Sequence, residues 1–193
     1  MGENINASLT ETNENTHDTA PRSASNWVPI SEAPAFTPRK IRVVCIGAGY
    51  SGLMLAYKWK HETPMEDFVD LTIYEKNEDV GGTWLVNRYP GVACDVPAHI
   101  YTFSFKPNPD WSSFYATGPE IWGYIKKTTK KYNLDKRVQF QSNVISSIWD
   151  DQKGKWKLKV NQNGTIVEDE ADVLVNGTGL LSKWRWPGLQ SGC

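Results

Sequence analysis

The sequence predicts an α/β fold: a doubly wound, Rossmann-type half-domain, a parallel sheet with helices, into which an antiparallel β-meander is inserted. Three observations predict it. An apolar run, Ile41 to Ile46, leads directly into a glycine turn, a helix and a second apolar strand. Three short β segments then follow one another, with Gly154 and Asn163-Gly164 marking the turns between them. A last apolar strand, Asp172 to Asn176, ends in Gly177-Thr178-Gly179.

Residues 1–38 are rich in Asn, Thr, Ser and Glu and are punctuated by Pro21, Pro29, Pro34 and Pro38. Such a stretch buries too little apolar surface to offset its ordering entropy, so it reads as a mobile tail. Trp27-Val28-Pro29-Ile30 is the part of it that could lie along the domain as an extended arm. Residues 39–193 form the domain. Ile41 to Ile46 is apolar almost throughout, as a buried parallel strand is. The helix from Tyr50 to about His61 presents Leu53, Met54, Ala56 and Tyr57, and Leu71 to Tyr74 is the second strand. Residues 79–117 are rich in Gly, Pro and aromatics and irregular, and a loop of that length in a compact domain is usually functional.

Thr117 and Glu120, at capping-box spacing, open the next helix with Pro119 in its first turn. Ile121, Ile125 and Tyr132 give that helix an apolar face. Arg137 to Phe140 is a short strand. The meander strands run over about Val144 to Trp149, Trp156 to Val160 and Thr165 to Val167, and Asp172 to Asn176 is another buried strand. No internal repeat occurs.

Composition excludes several functions. With 21 basic and 22 acidic residues the charges nearly cancel, so no electrostatic footprint points to nucleic acid or an anionic membrane. The basic run from Lys126 to Lys131 reads as a solvated helix face. Cys45, Cys94 and Cys193 are too scattered for a disulfide framework or a metal site, and Cys45 reads as a small core residue. No stretch approaches the length of a membrane span and no signal peptide opens the chain, so a cytoplasmic setting is the default.

Gly47-Ala48-Gly49-Tyr50-Ser51-Gly52 fits G-x-G-x-x-G. Chance alone would place that pattern in such a chain with a probability of roughly 0.1, so its context decides. It follows an apolar strand, opens a helix and is followed about 20 residues on by an acid, Glu75, at the end of the next strand. Gly47 permits the tight turn, Gly49 lets the backbone approach a pyrophosphate, and Gly52 lets helix and strand pack closely. The helix N-terminus offers unpaired N–H groups to phosphate. Glu75 can accept hydrogen bonds from both hydroxyls of an adenosine ribose, and its charge would repel a 2′-phosphate. The first ligand should therefore be FAD or NAD, and NADPH, if used, must bind elsewhere.

Two further strings narrow the choice: Gly81-Gly82-Thr83-Trp84, and the run from Asn87 to Pro97, NRYPGVACDVP. Together with the glycine turn and Glu75 they resemble the Baeyer–Villiger branch of the flavin-containing monooxygenases, nearest to fungal members of secondary metabolism. The resemblance runs from about residue 41 to 189, and the second string is far more specific than the glycine turn. It implies an FAD-binding half-domain, meander included, and an enzyme that uses FAD and NADPH to insert oxygen beside a ketone through a flavin peroxide. The implied substrate is a small-molecule ketone of polyketide or terpenoid type.

The resemblance also implies roles for individual residues. Gly82, Thr83 and Trp84 would run beside the ribityl chain and the flavin ring. Asp95 would sit near the flavin and hold an active-site arginine charged, and Tyr101 would contact the flavin region. Ala93, Cys94 and Asp95 would face the nicotinamide, and the backbone at Val144 the adenine; Lys76, next to Glu75, joins the cofactor-binding set. From the residues alone, alternatives stand beside these roles. Trp84 is an apolar wall or plain core. Arg88 is a phosphate or carboxylate partner or a surface ion pair. Asp95, flanked by apolar residues, is an acid with a shifted pKa or a turn cap. His99 is a structural histidine rather than a base.

These 193 residues contain no second G-x-G-x-x-G and no F-x-G-x-x-x-H-x-x-x-W motif. The expectation is of an FAD-binding portion without the NADPH domain or the distal segment that completes the FAD sheet. It is read as a fragment, a short relative with a new role, or a piece that pairs with another chain or itself through the exposed sheet edge. Two rivals to the monooxygenase reading are a short enzyme catalysing a non-redox isomerisation, dehydration or cyclisation, and a non-catalytic binding module.

Overall fold

β1, Ile41–Ile46, is the central strand of a four-stranded parallel sheet ordered β3-β2-β1-β7. Its partners are β2, Val69–Tyr74, and β7, Val173–Asn176; β3, Val138–Gln139, lies beyond β2. The computed structural model describes residues 34, 36, 37, 39–180 and 188. The expected tail and the Trp27 arm lie outside the described residues, apart from a few positions near its end.

The pleat of β1 and β2 sorts side chains between two layers. Cys45, Leu71 and Ile73 point into a core with the helices, whereas Val44 and Tyr74 join Leu158, Val160 and Ala171 of the meander. One face of the sheet is thus covered by helices and the other by the meander. Burial pushes the Cys45 thiol up to about 11, so it behaves as the small core residue the sequence indicates.

On the helical side lie α1, Tyr50–Tyr57, and α3, Gly118–Tyr132. α1 continues as a π-helical turn, Lys58–Glu62, which carries the chain to the expected end near His61 and buries Trp59. α3 buries Ile121 and Ile125 and leaves the lysines of its basic run exposed. Its N-terminus departs from expectation. Thr117 makes no side-chain cap, and Glu120 instead accepts hydrogen bonds from Ser112 N–H and Oγ at 2.9 and 2.6 Å. The loop backbone replaces the capping box: Gly118 N–H donates to Val92 O at 2.8 Å.

The meander comprises β4, Ser142–Asp150, β5, Lys155–Gln162, and β6, Thr165–Ala171, each longer than its apolar residues alone suggest. Its turn at Asn163-Gly164 has positive φ at both residues, 51° and 93°, as the Asn-Gly pair predicts. Polar groups tie it to the sheet. Arg42 reaches Asp169 of β6 at 2.6 Å and Asp70 of β2 at 2.8 Å, and Tyr74 Oη donates to Asp169 at 2.8 Å.

Two strand expectations need correction. β3 has only two residues, because the chain enters it from a 3-10 turn, Leu134–Arg137, and leaves at the positive φ of Gln141. β7 is not a fully buried strand: it is the sheet edge, with Val173 45% exposed. Its apolar sequence matches a central strand, yet among the described residues β1 is its only strand partner.

The loop over 79–117 is ordered by short elements and aromatic packing. It holds α2, Thr83–Val86, and a 3-10 turn, Ala98–Ile100. Cys94 N–H donates to Ala116 O and Ala98 N–H to Phe114 O, which folds the segment back on itself. Phe103 is fully buried, 4.8 Å from the Tyr50 ring.

Candidate functional site

Three glycine segments, the turn after β1, Gly81-Gly82 and Gly177 at the end of β7, converge at the C-terminal ends of the parallel strands, the region where open α/β sheets bind ligands. The first is the turn after β1. Gly47 has φ +101°, and a Cβ there would lie 2.7 Å from Gly177 O, so turn and strand end fit only without side chains. A Cβ on Gly52 would stand 2.1 Å from Gly47 O, which is the close helix–strand contact the motif predicts. The second segment is Gly81-Gly82. Gly81 N–H donates to Ala48 O at 3.1 Å, and a Cβ on Gly82 would lie 3.2 Å from Gly49 Cα. The backbone surface beside the α1 N-terminus therefore carries no Cβ, and the first-turn N–H groups of Tyr50, Ser51 and Gly52 belong to that terminus.

Glu75 closes this rim at the end of β2 and is 4% exposed. Its Oε2 accepts from Ala48 N–H at 2.8 Å, and its Oε1 from Asn77 N–H at 2.9 Å and Asn77 Nδ2 at 2.6 Å. A buried carboxylate thus stands beside a glycine turn and a helix N-terminus, acceptor next to free N–H donors, a combination suited to a polar, phosphate-bearing ligand. An open groove of about 480 Å³ adjoins it, lined among others by Lys76, Asn77, Arg88 and Gln141.

Arg88 lines that groove. Its Nε donates to Leu85 O at 2.8 Å and its guanidinium lies 5.4 Å from the centre of the Trp122 ring, with no ion pair among the described residues. Val144 is half-buried in β4 beside a register shift, paired with Val160. The start of β4 is tied to the acid, since Ser142 N–H donates to Glu75 O at 2.8 Å.

The other predicted residues form a second group along the loop. Trp84 is buried and meets the Tyr101 ring edge to face, 5.0 Å between centroids. Thr83 and Ala93 are exposed and Cys94 is buried. Tyr50 Oη donates to Tyr101 O at 2.7 Å, joining the two groups. Asp95, expected among apolar neighbours, is exposed; among the described residues its one side-chain hydrogen bond is a long one, 3.4 Å, from Tyr101 Oη. The chain turns its side chain outward between buried Cys94 and half-buried Val96. Burial, more than the nearby Asp95, raises the Tyr101 phenol. His99 is exposed, and among the described residues its one recorded contact is its carbonyl, which accepts from Thr102 Oγ1 at 3.1 Å.

Sequence reasoning missed two residues. Asn77 holds Glu75, and an Asn two positions past the acid, able to bond back, was the available sign. Trp122 Nε1 donates to Val80 O at 2.9 Å beneath the Gly81-Gly82 segment; nothing in its spacing distinguished it from the other tryptophans.

The NAD(P)-binding Rossmann-like domain family matches residues 45–117. An FAD-binding monooxygenase of Aspergillus terreus, tazF, is 57% identical over 164 residues, covering 85% of this chain and 29% of that protein. The chain is homologous to FAD-binding and Baeyer–Villiger monooxygenases. A Baeyer–Villiger monooxygenase of Pseudomonas aeruginosa is 40% identical over 151 residues, covering 78% of this chain and 27% of that one. Among solved structures, cyclohexanone monooxygenase from Rhodococcus sp. Phi1 bound to NADP+ is similar with a TM-score of 0.64 and 31% identity, over 79% of this chain and 28% of that chain. The chain thus spans less than a third of the length of these monooxygenases. Among the described residues no helix is long and apolar enough to cross a membrane.

Proposed function

We propose that this chain supplies the FAD-binding portion of a Baeyer–Villiger-type monooxygenase that takes reducing equivalents from NADPH and inserts oxygen beside a ketone. The observation that carries the reading is the convergence of buried Glu75, the Ala48 N–H and three glycine segments on one rim of the sheet. Residues 39–193 belong to the flavin domain in this reading, residues 1–38 precede it as a tail, and NADPH binds on a different domain.

FAD, when bound, supplies the redox and oxygen chemistry; the chain's residues bind, orient and shield it. The turn from Gly47 through Gly49 to Tyr50, Ser51 and Gly52 receives the pyrophosphate, Glu75 the ribose, and Lys76 with the Val144 backbone the adenine end. Gly82, Thr83 and Trp84 flank the ribityl chain and ring, with Arg88 poised over the adjoining groove. Ala93, Cys94, Asp95 and Tyr101 form the side that the nicotinamide approaches, and Asp95 is the acid that keeps an arginine charged. The substrate is a ketone of polyketide or terpenoid type in secondary metabolism, met in the cytoplasm. The open edge of β7 is where a further strand, from a partner chain or another copy, would pair.

A chimera tests the reading, with residues 41–180 replacing the matching stretch of the A. terreus relative. It is expected to carry FAD and to consume oxygen and NADPH in step when a ketone is supplied. A folded chimera that holds FAD yet takes up no oxygen with any ketone contradicts the assignment.

A further inference from the structure

Glu75 is so deeply buried that its carboxylate has to be satisfied within the chain. A carboxylate offers about four lone-pair positions, two on each oxygen. Oε2 accepts from Ala48 N–H at 2.8 Å; Oε1 accepts twice from Asn77, from its backbone N–H at 2.9 Å and its side-chain amide at 2.6 Å. One position stays open, on Oε2. A ribose with two neighbouring hydroxyls needs two.

Two of the three donors are backbone groups that the fold fixes. Ala48 is held because Gly81 N–H donates to its carbonyl, and Asn77 because Gln141 N–H donates to its carbonyl at 3.0 Å. Only the side-chain amide of Asn77, on a half-buried residue, can leave by rotating about its own bonds.

We infer that the Asn77 side-chain amide stands in for a ribose hydroxyl, holding the second position on Glu75 until the vicinal diol of an adenosine phosphate takes it. The inference rests on the reading of this rim as the adenosine end of the FAD site. While the site has no ligand, the amide keeps a buried charge paired. On binding it swings outward and the diol donates to both carboxylate oxygens. Ligand must then displace a hydrogen bond to a charged group. Removing the amide should therefore loosen the unliganded chain and tighten the complex, two changes of opposite sign that a merely structural side chain would not produce.

The test compares the full 193-residue chain with its Asn77→Ala variant. ADP and 2′,3′-dideoxy-ADP are the probes, titrated calorimetrically, with the Tm of each chain measured without ligand. ADP is expected to bind the variant roughly three- to tenfold more tightly, the size of one modest hydrogen bond. The unliganded variant should melt lower, and dideoxy-ADP should bind both chains alike. If Asn77→Ala does not fold, Asn77→Ser takes its place with the same pair of signs and smaller sizes. Unchanged or weaker ADP binding in a folded variant, or a gain that dideoxy-ADP shares, overturns the inference and leaves the cofactor assignment standing. A folded unmutated chain that binds neither ADP nor FAD overturns both.

Discussion

Two acids belong to the candidate site, Glu75 on the rim and Asp95 on the loop, and the chain treats them in opposite ways. Glu75 is buried, with three donors between 2.6 and 2.9 Å, two of them backbone groups. Asp95 is exposed, with one contact of 3.4 Å to a phenol. A carboxylate held by backbone donors is positioned by the fold itself, whereas one on the surface is free to choose among rotamers and water. The fold therefore fixes the Glu75 end, apart from the Asn77 side-chain amide, and leaves the Asp95 end unconstrained. On the proposed reading, selectivity for the cofactor resides at the Glu75 end and control of chemistry at the Asp95 end.

The largest effect that would break this contrast comes from the glycine turn. Gly52→Ala forces a Cβ against Gly47 O, at 2.1 Å, and is expected to cost about 3 kcal/mol or more, read by urea unfolding. A change near zero would mean that the turn is not rigid and that Glu75 is not preorganised. Next comes Glu75→Ala, which leaves Ala48 N–H without its acceptor. It should cost about 1–3 kcal/mol of stability and weaken FAD binding at least tenfold, as seen in equilibrium dialysis. Equal affinity for both chains would show that ribose is held elsewhere.

The meander junction gives a middle-sized effect that involves neither end. Burial alone would raise the Asp169 carboxyl, but hydrogen bonds from Arg42 and Tyr74 and the charge of Arg42 hold it below its ordinary value. A carboxyl lowered in the folded state stabilises in full above its unfolded pKa, about 3.9, and loses that contribution as pH falls through the lower folded value. Asp169→Asn should cost about 1–3 kcal/mol at neutral pH and flatten the loss of stability below about pH 4. Acid unfolding curves that superimpose for the two chains would remove the junction from the account. The smallest effect is expected at Asp95→Asn, within about 0.5 kcal/mol for an exposed side chain. A larger loss of stability would reveal an interior role that its surroundings do not suggest.

Much of this contrast is legible in the sequence, for local reasons. Apolar continuity marks β1 and β2, and Asn163-Gly164 fixes the meander turn, because each depends on neighbouring residues alone. The glycine turn with Glu75 is legible because the close approaches at Gly47 and Gly52 dictate composition and spacing. The failures involve partners distant in the chain. Glu120 has capping-box spacing with Thr117, yet Ser112 takes its carboxylate. The outward turn of Asp95 depends on how residues 92–98 fold back on 114–118. β7 has the apolar run of a central strand, and only the topology puts it at an edge. Asn77 had a local sign, an Asn two positions past the acid, but which lone pair of Glu75 it fills is settled only once the turn has folded.

The central claim is that Glu75 makes this rim a site for an adenosine diol without a 2′-phosphate. Its most direct test is a titration of the purified, folded chain with FAD, ADP and NADPH on one sample, followed by heat release and by flavin fluorescence. Saturable binding of FAD and ADP, with NADPH far weaker, is the predicted result. NADPH binding as tightly as ADP, or a folded chain indifferent to all three, would contradict it.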